Sequence, residues 1–227
     1  MTAAVLAGVA FLLCAWQVRR DGERNEGREA ALARAGLPLL PMTEPVGPEA
    51  AWRVVDWPGR FDGPAELVAQ RLEREERGYG LVQRFVRADG ESLLVDRGWV
   101  PADAADTRVA AAAGDTGPTR LVGQLRLVAG DADATPVTGH GGARIWPLGA
   151  WPAMRAASGA TLPVYAVAGA ADGSRQPGGL AADGFVPVPE RDNTSAHYAS
   201  QWLAIGLIGV ILAVPGAWPR LRAFLSA

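Results

Sequence analysis

The polarity pattern divides the chain into two apolar ends and a polar middle. Residues 2–18 carry no formal charge, and a second uncharged stretch covers residues 198–218. As helices these stretches reach about 26 and about 32 Å, close to the ~30 Å of a bilayer core. The pattern predicts a membrane protein with transmembrane helices at 2–18 and 197–218. They flank a domain at 19–196, and a tail follows at 219–227.

The first apolar stretch has the features of an uncleaved anchor. Only Met1 and Thr2 precede it, so it lacks the basic region of a signal peptide. Bulky Leu13 stands before Cys14, where lipoprotein cleavage requires a small residue. We therefore interpret Cys14 as a small apolar residue within a helix.

Charges next to the apolar stretches predict the orientation. Arg220 and Arg222 directly follow the second stretch, and basic residues near a helix end mark the cytoplasmic side. This places both termini in the cytoplasm and the middle domain outside it. Arg19 and Arg20 favour the opposite orientation, but long loops are translocated largely regardless of charge.

The middle region predicts a mainly antiparallel β domain of the α+β class. Asp89-Gly90 between two apolar runs indicates a hairpin turn. A short helix continuing away from the membrane is predicted at 24–35, and another helix at 151–158. Loops are predicted at 103–119, 130–142 and 172–184. The predicted strands are 52–61, 66–70, 79–87, 92–100, 120–128 and 161–167.

Composition narrows the chemistry. With 49% hydrophobic residues and a net charge of -2, the chain is neither a disordered polymer nor a basic nucleic-acid binder. A single cysteine excludes an internal disulfide and a thiolate zinc site. No P-loop, nucleophile elbow or paired zinc histidines occur, and Glu75-Glu76 is interpreted as a solvated turn. We therefore expect no enzyme activity, with a tethered hydrolase using His140 as a remote alternative.

Three motifs occur in order along the chain. Residues 15–20 read AWQVRR, residues 94–101 read LVDRGWVP, and residues 193–202 read NTSAHYASQW. Together, and between two apolar ends, they resemble the Surfeit locus protein 1 family of cytochrome c oxidase assembly factors. Weaker similarities, such as Trp52-Arg53-Val54 and Gly123-Gln124-Leu125-Arg126, extend the resemblance over nearly the whole chain.

The resemblance implies a role in assembly. Family members help to mature the haem–copper oxidase core subunit, and bacterial members are similar to haem a-binding chaperones. It implies haem a as a transient cofactor, and the oxidase core subunit and the haem a synthesis machinery as partners. It also implies the bacterial inner membrane, with the domain in the periplasm. The haem-linked histidine of the family matches His197.

The residues around His197 allow two interpretations. Imidazole is a common axial ligand of haem iron, and at helical spacing Gln201 shares a face with His197 beside Tyr198. Alternatively, these side chains anchor the helix at the membrane interface. The residues alone favour this second interpretation, whereas the family resemblance favours the haem ligand. A separate stripe of small residues predicts packing of the second span on the first. The stripe comprises Gly206, Gly209, Ala213 and Gly216. Its expected partners on the first span are Ala3, Ala7 and Ala10.

Nearby arginines predict a site for the haem propionates. Arg19, Arg20 or Arg191 would pair with these carboxylates through the planar guanidinium fork, while His197 approaches the iron. The alternative for the arginines is contact with lipid headgroups.

Arg97 and Trp99 form a second candidate site. Alternation places them on one strand face, where the indole could stack on the guanidinium. We favour a packed strand end with an ion pair, with docking of a partner protein as the second possibility. For the whole chain, the alternative function is a cofactor-free, membrane-tethered interaction module of another envelope complex.

Overall fold

The computed structural model describes residues 2–69, 77–169 and 194–213. They form two compact units, a helical unit of residues 2–30 and 194–213 and a sheet unit of residues 31–69 and 77–169. The predicted loop at 172–184, the second span beyond residue 213 and the predicted tail lie outside the described residues.

Two long helices dominate the helical unit, α1 (Thr2–Ala35) and α4 (Thr194–Ala213). Both are long and apolar enough to cross a membrane, and only 11% of the most apolar window of each is buried. Core helices of soluble proteins are mostly buried, so this exposure fits membrane anchoring.

The helix α1 is continuous for 34 residues and ends at Ala35, so the helix predicted at 24–35, continuing away from the membrane, is confirmed. Gly22 and Gly27 lie inside it, each costing about 1 kcal/mol of helix propensity relative to alanine. Charged side chains one turn apart offset part of that cost, as in the 2.9 Å ion pair between Arg19 and Glu23.

Five strands of the sheet unit close into a barrel. Strand β1 pairs with both β2 and β4, β2 pairs with β3, and the last strand, β7, lies between β3 and β4. The order β1-β2-β3-β7-β4-β1, with β3 parallel to β7, is that of the OB-fold. The strands are β1 (Val54–Ala69), β2 (Gly78–Arg87), β3 (Ser92–Pro101), β4 (Pro118–Leu127) and β7 (Val164–Ala168).

Two short strands extend the sheet beyond the barrel. The strand β6 (Arg144–Trp146) runs parallel to the second half of β1, and β5 (Val137–Thr138) pairs with β6. Among the described strands the sheet is therefore mixed, with most pairings antiparallel and two parallel, β3 with β7 and β1 with β6. The α+β class is confirmed, and the antiparallel prediction holds for most pairings.

The predicted hairpin joins β2 to β3. Arg87 N donates to Glu91 O at 2.8 Å, and Gly90 has φ 92°, a conformation that glycine adopts without strain. The Asp89 carboxylate accepts a hydrogen bond from Glu91 N at 3.2 Å. Asp-Gly thus fixes this turn as the sequence predicts.

Strand β1 replaces two predicted strands. Most of the segment 52–61 and the described part of the segment 66–70 belong to one 16-residue strand, Val54–Ala69, which is interrupted by a bulge. Asp62 faces Arg84 and Glu66 faces Val82, so three residues of β1 lie opposite one residue of β2. Gly63-Pro64 lies in this bulge, which is where proline and glycine are tolerated within a sheet.

The helix α2 (Ala105–Gly114) covers one end of the barrel, so the predicted loop at 103–119 was wrong. Ala105, Val109 and Ala112 are buried at helical spacing and pack with barrel residues such as Leu81. The alanine-rich run has high helix propensity, and the helical spacing of Ala105, Val109 and Ala112 also indicates a helix.

The helix α3 (Trp151–Ser158) has the predicted bounds. Pro152 stands in its first turn, and Gly159 ends it in a left-handed conformation with φ 69°. Met154 is buried against the outer surface of the barrel in a cluster with Val82 and Leu94. The barrel thus has apolar packing on its outer wall as well as inside.

Candidate functional site

The two long helices pack against each other through small residues. A Cβ atom on Gly209 would lie 3.0 Å from Ala7 Cβ, and one on Gly206 would lie 3.0 Å from the Phe11 ring. Ala7 and Ala10 are buried. The predicted contact of the glycine stripe with α1 is therefore confirmed at Gly206 and Gly209. Ala213 is exposed, and residue 216 lies outside the described residues.

The helices are antiparallel, because the contacts pair rising residue numbers of α1 with falling residue numbers of α4. At the polar end, Arg24 Nη1 donates a hydrogen bond to Ser195 Oγ at 3.2 Å. This register places His197 within about one helical turn of Arg19 and Arg20 along the axis. The predicted histidine and arginines are thus brought to the same level of the helix pair.

His197 is exposed on the first turns of α4. Its neighbours Ser195 and Ala199 are buried, so the imidazole lies off the face that contacts α1. Gln201 Nε2 lies 3.0 Å from His197 Nε2, and the ring of Tyr198 stands edge-on at 6.4 Å between centroids. Because an amide nitrogen only donates, His197 Nε2 is the acceptor in this contact.

Arg19 and Arg20 are exposed beside this level. Arg19 Nε donates to Glu23 Oε1, and its side chain is 81% exposed, so the pair adds little stability. The Arg20 guanidinium carbon lies 5.1 Å from the centroid of the Trp16 ring. Both cations are therefore accessible to an incoming anion, whereas Arg191 lies outside the described residues.

Arg97 is buried at the end of the barrel that α2 covers. Its Nη1 donates to Gln83 Oε1 at 2.6 Å and its Nη2 to Asp115 Oδ2 at 2.7 Å. Its aromatic neighbour is Phe61, 4.0 Å away, whereas the Trp99 indole lies against Gly78. The predicted stacking of Trp99 on Arg97 is thus wrong. The predicted ion pair is present, and partner docking by Arg97 and Trp99 stays a prediction.

A bulge in β3 explains the altered alternation. Gly80 faces Trp99 while Val82 faces Asp96, so two residues of β3 lie opposite Leu81. Gly98 within the bulge has φ 108° and donates its N–H to Asp96 Oδ1 at 2.9 Å. The side chains of residues 97 and 99 therefore cannot follow simple strand alternation.

Among the described residues of the sheet unit, Asp96 is a carboxyl whose pKa is strongly shifted. Burial raises its pKa to about 6, and the hydrogen bond from Gly98 N opposes that shift only in part. The Tyr165 pKa is also raised, first by burial and then by the Asp96 charge. Burial lowers the pKa of Arg126 to about 10.

His140 contacts one residue of β2 and one residue of α2. Its Nε2 lies 3.2 Å from Tyr79 Oη, and its Nδ1 lies 3.4 Å from Asp106 Oδ1. The Asp106 carboxylate, the His140 imidazole and the Tyr79 hydroxyl thus lie in a row in space. The contact between the carboxylate and the imidazole, however, is too long for an orienting hydrogen bond. Among the described residues, no group of three or more His, Cys, Asp or Glu side chains is placed to hold a metal ion.

A cleft beside the β1 bulge was not anticipated from the sequence. It has a volume of about 240 Å³ and is lined by residues of β1, β2, β3, β6 and the end of α3. Two arginines, Arg84 and Arg144, lie along it, each paired with a carboxylate of β1. Gly63-Pro64, which lies between the predicted strands 52–61 and 66–70, was the available signal for a bulge.

The fold and the helix pair define a protein with an OB-type barrel and two helices able to anchor it in a membrane. Comparison with protein-family models matches residues 4–207 to the SURF1 family, and the chain belongs to that family. The family is known for assembly of cytochrome c oxidase. No curated protein matches the chain.

Proposed function

We propose that this chain serves cytochrome c oxidase biogenesis by binding haem a, or helping to insert it, at His197, without catalysing a reaction. The observation that carries the proposal is the exposed imidazole on α4 at the level of two exposed arginines on α1. Membership of the SURF1 family supports the oxidase as the destination. The core subunit and the haem a synthesis machinery are the partners in this proposal.

The side chains present fit a haem. The imidazole of His197 supplies a nitrogen ligand, and Arg19 and Arg20 supply donors for the propionates. The bound group would bring an iron and a conjugated macrocycle, whose delivery to the oxidase is the function. The chain's own part is to hold the group at the membrane boundary.

Gln201 holds the imidazole until a ligand arrives. Its amide nitrogen donates to His197 Nε2 over 3.0 Å, so this hydrogen bond orients the ring. Iron would compete for the same lone pair. We therefore propose that Gln201 is a positioning residue, and that Tyr198, which is 47% exposed, flanks the bound group.

The two histidines provide a matched test. Purified full-length chain in detergent is titrated with haem a, and the haem absorption spectrum is recorded for the wild type, His197→Ala and His140→Ala. We expect His197→Ala to weaken binding by about tenfold or more, equivalent to ~1.4 kcal/mol, and His140→Ala to bind as the wild type does. Colourless wild-type protein, or equal losses in both variants, would refute the proposal and favour a cofactor-free interaction module.

The propionate role has its own test. Arg19→Gln combined with Arg20→Gln removes both cations, whereas Glu23→Gln releases Arg19 from its ion pair. We expect weaker haem a binding in the arginine variant and equal or tighter binding in Glu23→Gln. Unchanged affinity in a normally inserted arginine variant would assign these side chains to lipid headgroups instead.

The orientation is part of the proposal. Arg220 and Arg222 support cytoplasmic termini in the bacterial inner membrane, which puts the barrel in the periplasm. Alkaline phosphatase fused after Gly90 should be active and the same enzyme fused after Ala227 inactive. The reverse result would place His197 at the cytoplasmic boundary and contradict the topology.

The biological role is tested in cells. Deleting the gene should lower the haem a content of the oxidase, and the wild-type chain should restore it better than His197→Ala does. Oxidase with full haem content and activity in the deletion strain would rule out the assembly role.

A further inference from the structure

The helix α2 lies in the connection between β3 and β4 and takes no part in the sheet of the barrel. The described strand pairings that close the barrel join β1, β2, β3, β7 and β4. These pairings therefore stay in place if α2 leaves the end of the barrel. An element that can leave without breaking the sheet opens at a lower free energy than the whole domain, because only its own contacts are lost.

The apolar contact between α2 and the barrel is small. Of the ten residues in the helix, Ala105, Val109 and Ala112 are buried and the others are exposed. Alanine and valine have short side chains, and hydrophobic stabilisation is roughly proportional to the apolar area removed from water. The buried face of α2 therefore provides less stabilisation than the leucine and aromatic side chains that fill the barrel.

The ends of α2 add little stability of their own. Ala104 stands at the N-cap, where its methyl group cannot accept a hydrogen bond from the first turn. Asp115 stands at the C-cap, where a carboxylate is disfavoured by the partial negative charge of the helix end. Helices of about ten residues are marginal in water without tertiary contacts. We therefore expect α2 to lose its helical structure when it leaves the barrel.

Two polar contacts hold the C-terminal end of α2. Arg97 Nη2 donates to Asp115 Oδ2 at 2.7 Å, and Gln83 Nε2 donates to Ala112 O at 3.2 Å. The Arg97 side chain is 10% exposed and that of Asp115 is 48% exposed, so water can replace the guanidinium at the carboxylate. Arg97 also donates to Gln83 Oε1 at 2.6 Å, and this hydrogen bond within the barrel does not involve the helix.

The N-terminal half of α2 has a weaker polar contact. His140 Nδ1 lies 3.4 Å from Asp106 Oδ1, and the Asp106 side chain is 68% exposed. A contact of that length between partly exposed groups contributes little. The ion pair of Asp115 with Arg97 is therefore the stronger of the two.

We propose that α2 is a lid that opens while the barrel stays folded, and that the ion pair between Asp115 and Arg97 is its latch. The open lid exposes the Arg97 guanidinium, whose side chain is only 10% exposed in the closed state. Partner docking by Arg97 is predicted from the sequence, and α2 controls access to this residue. The lid belongs to the sheet unit and does not require haem a at His197.

Hydrogen–deuterium exchange of the full-length chain in detergent tests the lid. Peptides covering residues 105–114 are compared with peptides from β2 and β4 by mass spectrometry. We expect amide protection in α2 to be at least about tenfold lower than in these strands, equivalent to ~1.4 kcal/mol in the free energy of opening. Low concentrations of urea should accelerate exchange less in α2 than in the strands, because lid opening exposes less surface than unfolding.

Two variants should move the lid in opposite directions. Asp115→Asn removes the charge of the latch and should accelerate exchange in α2 by about two- to fivefold. Gly114 is exposed, and a Cβ there would meet no atom within 4 Å, so Gly114→Ala should favour the helix and slow exchange by about two- to fivefold. Glu91→Gln removes one negative charge at an exposed turn outside α2 and is the control. Exchange in β2 and β4 should stay unchanged in all three variants.

Chemical labelling reports access to Arg97. Phenylglyoxal modifies accessible guanidinium groups, and the extent of labelling at each arginine is read by mass spectrometry. Labelling of Arg97 should be slower in Gly114→Ala, a variant that leaves both Arg97 and Asp115 intact. Arg60, an exposed arginine of β1, should be labelled at the same rate in the wild type and the variant.

Equal protection of α2 and the strands in the wild type would overturn the proposal, since the helix would then open only together with the barrel. If Asp115→Asn accelerates exchange in the strands as much as in α2, the ion pair stabilises the whole domain and is not a latch. Arg97 labelling that Gly114→Ala leaves unchanged would show that α2 does not control access. None of these outcomes depends on haem a binding, which is measured separately at His197.

Discussion

Gly209 lies so close to Ala7 that a Cβ atom on the glycine would stand 3.0 Å from the Cβ atom of the alanine. Apolar side chains gain nothing by leaving lipid, so contacts of this kind hold membrane helices together through close packing. The antiparallel helix pair therefore depends on the absence of a side chain at residue 209.

Replacing Gly209 with isoleucine should separate the helix pair. The branched side chain would overlap Ala7 and the Ala3 carbonyl, which lies 3.3 Å from a Cβ at this position. Gly8→Ile is the matched control, because a Cβ at Gly8 meets no atom within 4 Å. We expect a lower unfolding temperature in detergent and less protein in the membrane for Gly209→Ile alone. Equal behaviour of the two variants would contradict the packing.

Arg97→Met should destabilise the barrel by about 1–3 kcal/mol, because the buried Gln83 oxygen loses its donor. Asp115 is 48% exposed and can regain water, so Asp115→Asn should cost less than about 1 kcal/mol. Denaturant unfolding of both variants measures the difference.

The same variants test partner docking. If the loss of oxidase assembly in the two variants parallels their loss of stability, then Arg97 contributes only by stabilising the barrel. If Arg97→Met folds stably but fails in assembly while Asp115→Asn supports it, docking by Arg97 and Trp99 is the better account.

Asp96 should make the stability of the barrel fall as pH rises. Its pKa increases from 3.8 to about 6 in the folded state, so between those values the folded chain binds more protons than the unfolded chain. Folding is therefore favoured at the acidic end of this window. The stability contribution is lost as pH rises through the folded pKa, by about 3 kcal/mol in total.

Asp96→Asn removes this dependence, because the amide stays neutral and still accepts from Gly98 N. The variant should unfold at a higher temperature than wild type at pH 8 and at a similar temperature near pH 3.5, below the window, as followed by tryptophan fluorescence. Asp103→Asn, an exposed position, is the control. A lower unfolding temperature for Asp96→Asn at pH 8 would show that the charged form is stabilised rather than penalised.

Local structure was predictable wherever a short-range rule applied. Asp89-Gly90 specified the hairpin, and Pro152 with Gly159 delimited α3, since turn and cap geometry depends on neighbouring residues. The stripe of Gly206 and Gly209 predicted helix packing because small residues on one helix face let another backbone approach closely. For the site, the sequence placed His197 and the two arginines at one end of the helix pair, and the register of the helices agrees.

Barrel closure was not predictable, because it joins strands far apart in sequence. Strand β3 lies parallel to β7, with Val95 facing Ala166, and neither segment carries a signal for its partner. The position of Arg97 follows from the β3 bulge, which shifts the register of residues that seemed to alternate. The β1 cleft was missed because Gly63-Pro64 reads equally as a strand end and as a bulge.

The bulge in β1 lets one strand belong to two structures. Its first half closes the barrel against β4, and its second half carries the ribbon of β6 and β5. The barrel is therefore closed without the segment between β4 and β7, which packs on its outer surface. Among relatives, this excursion is where we expect length to vary most freely, leaving the closed core intact while the surface offered to other proteins diverges.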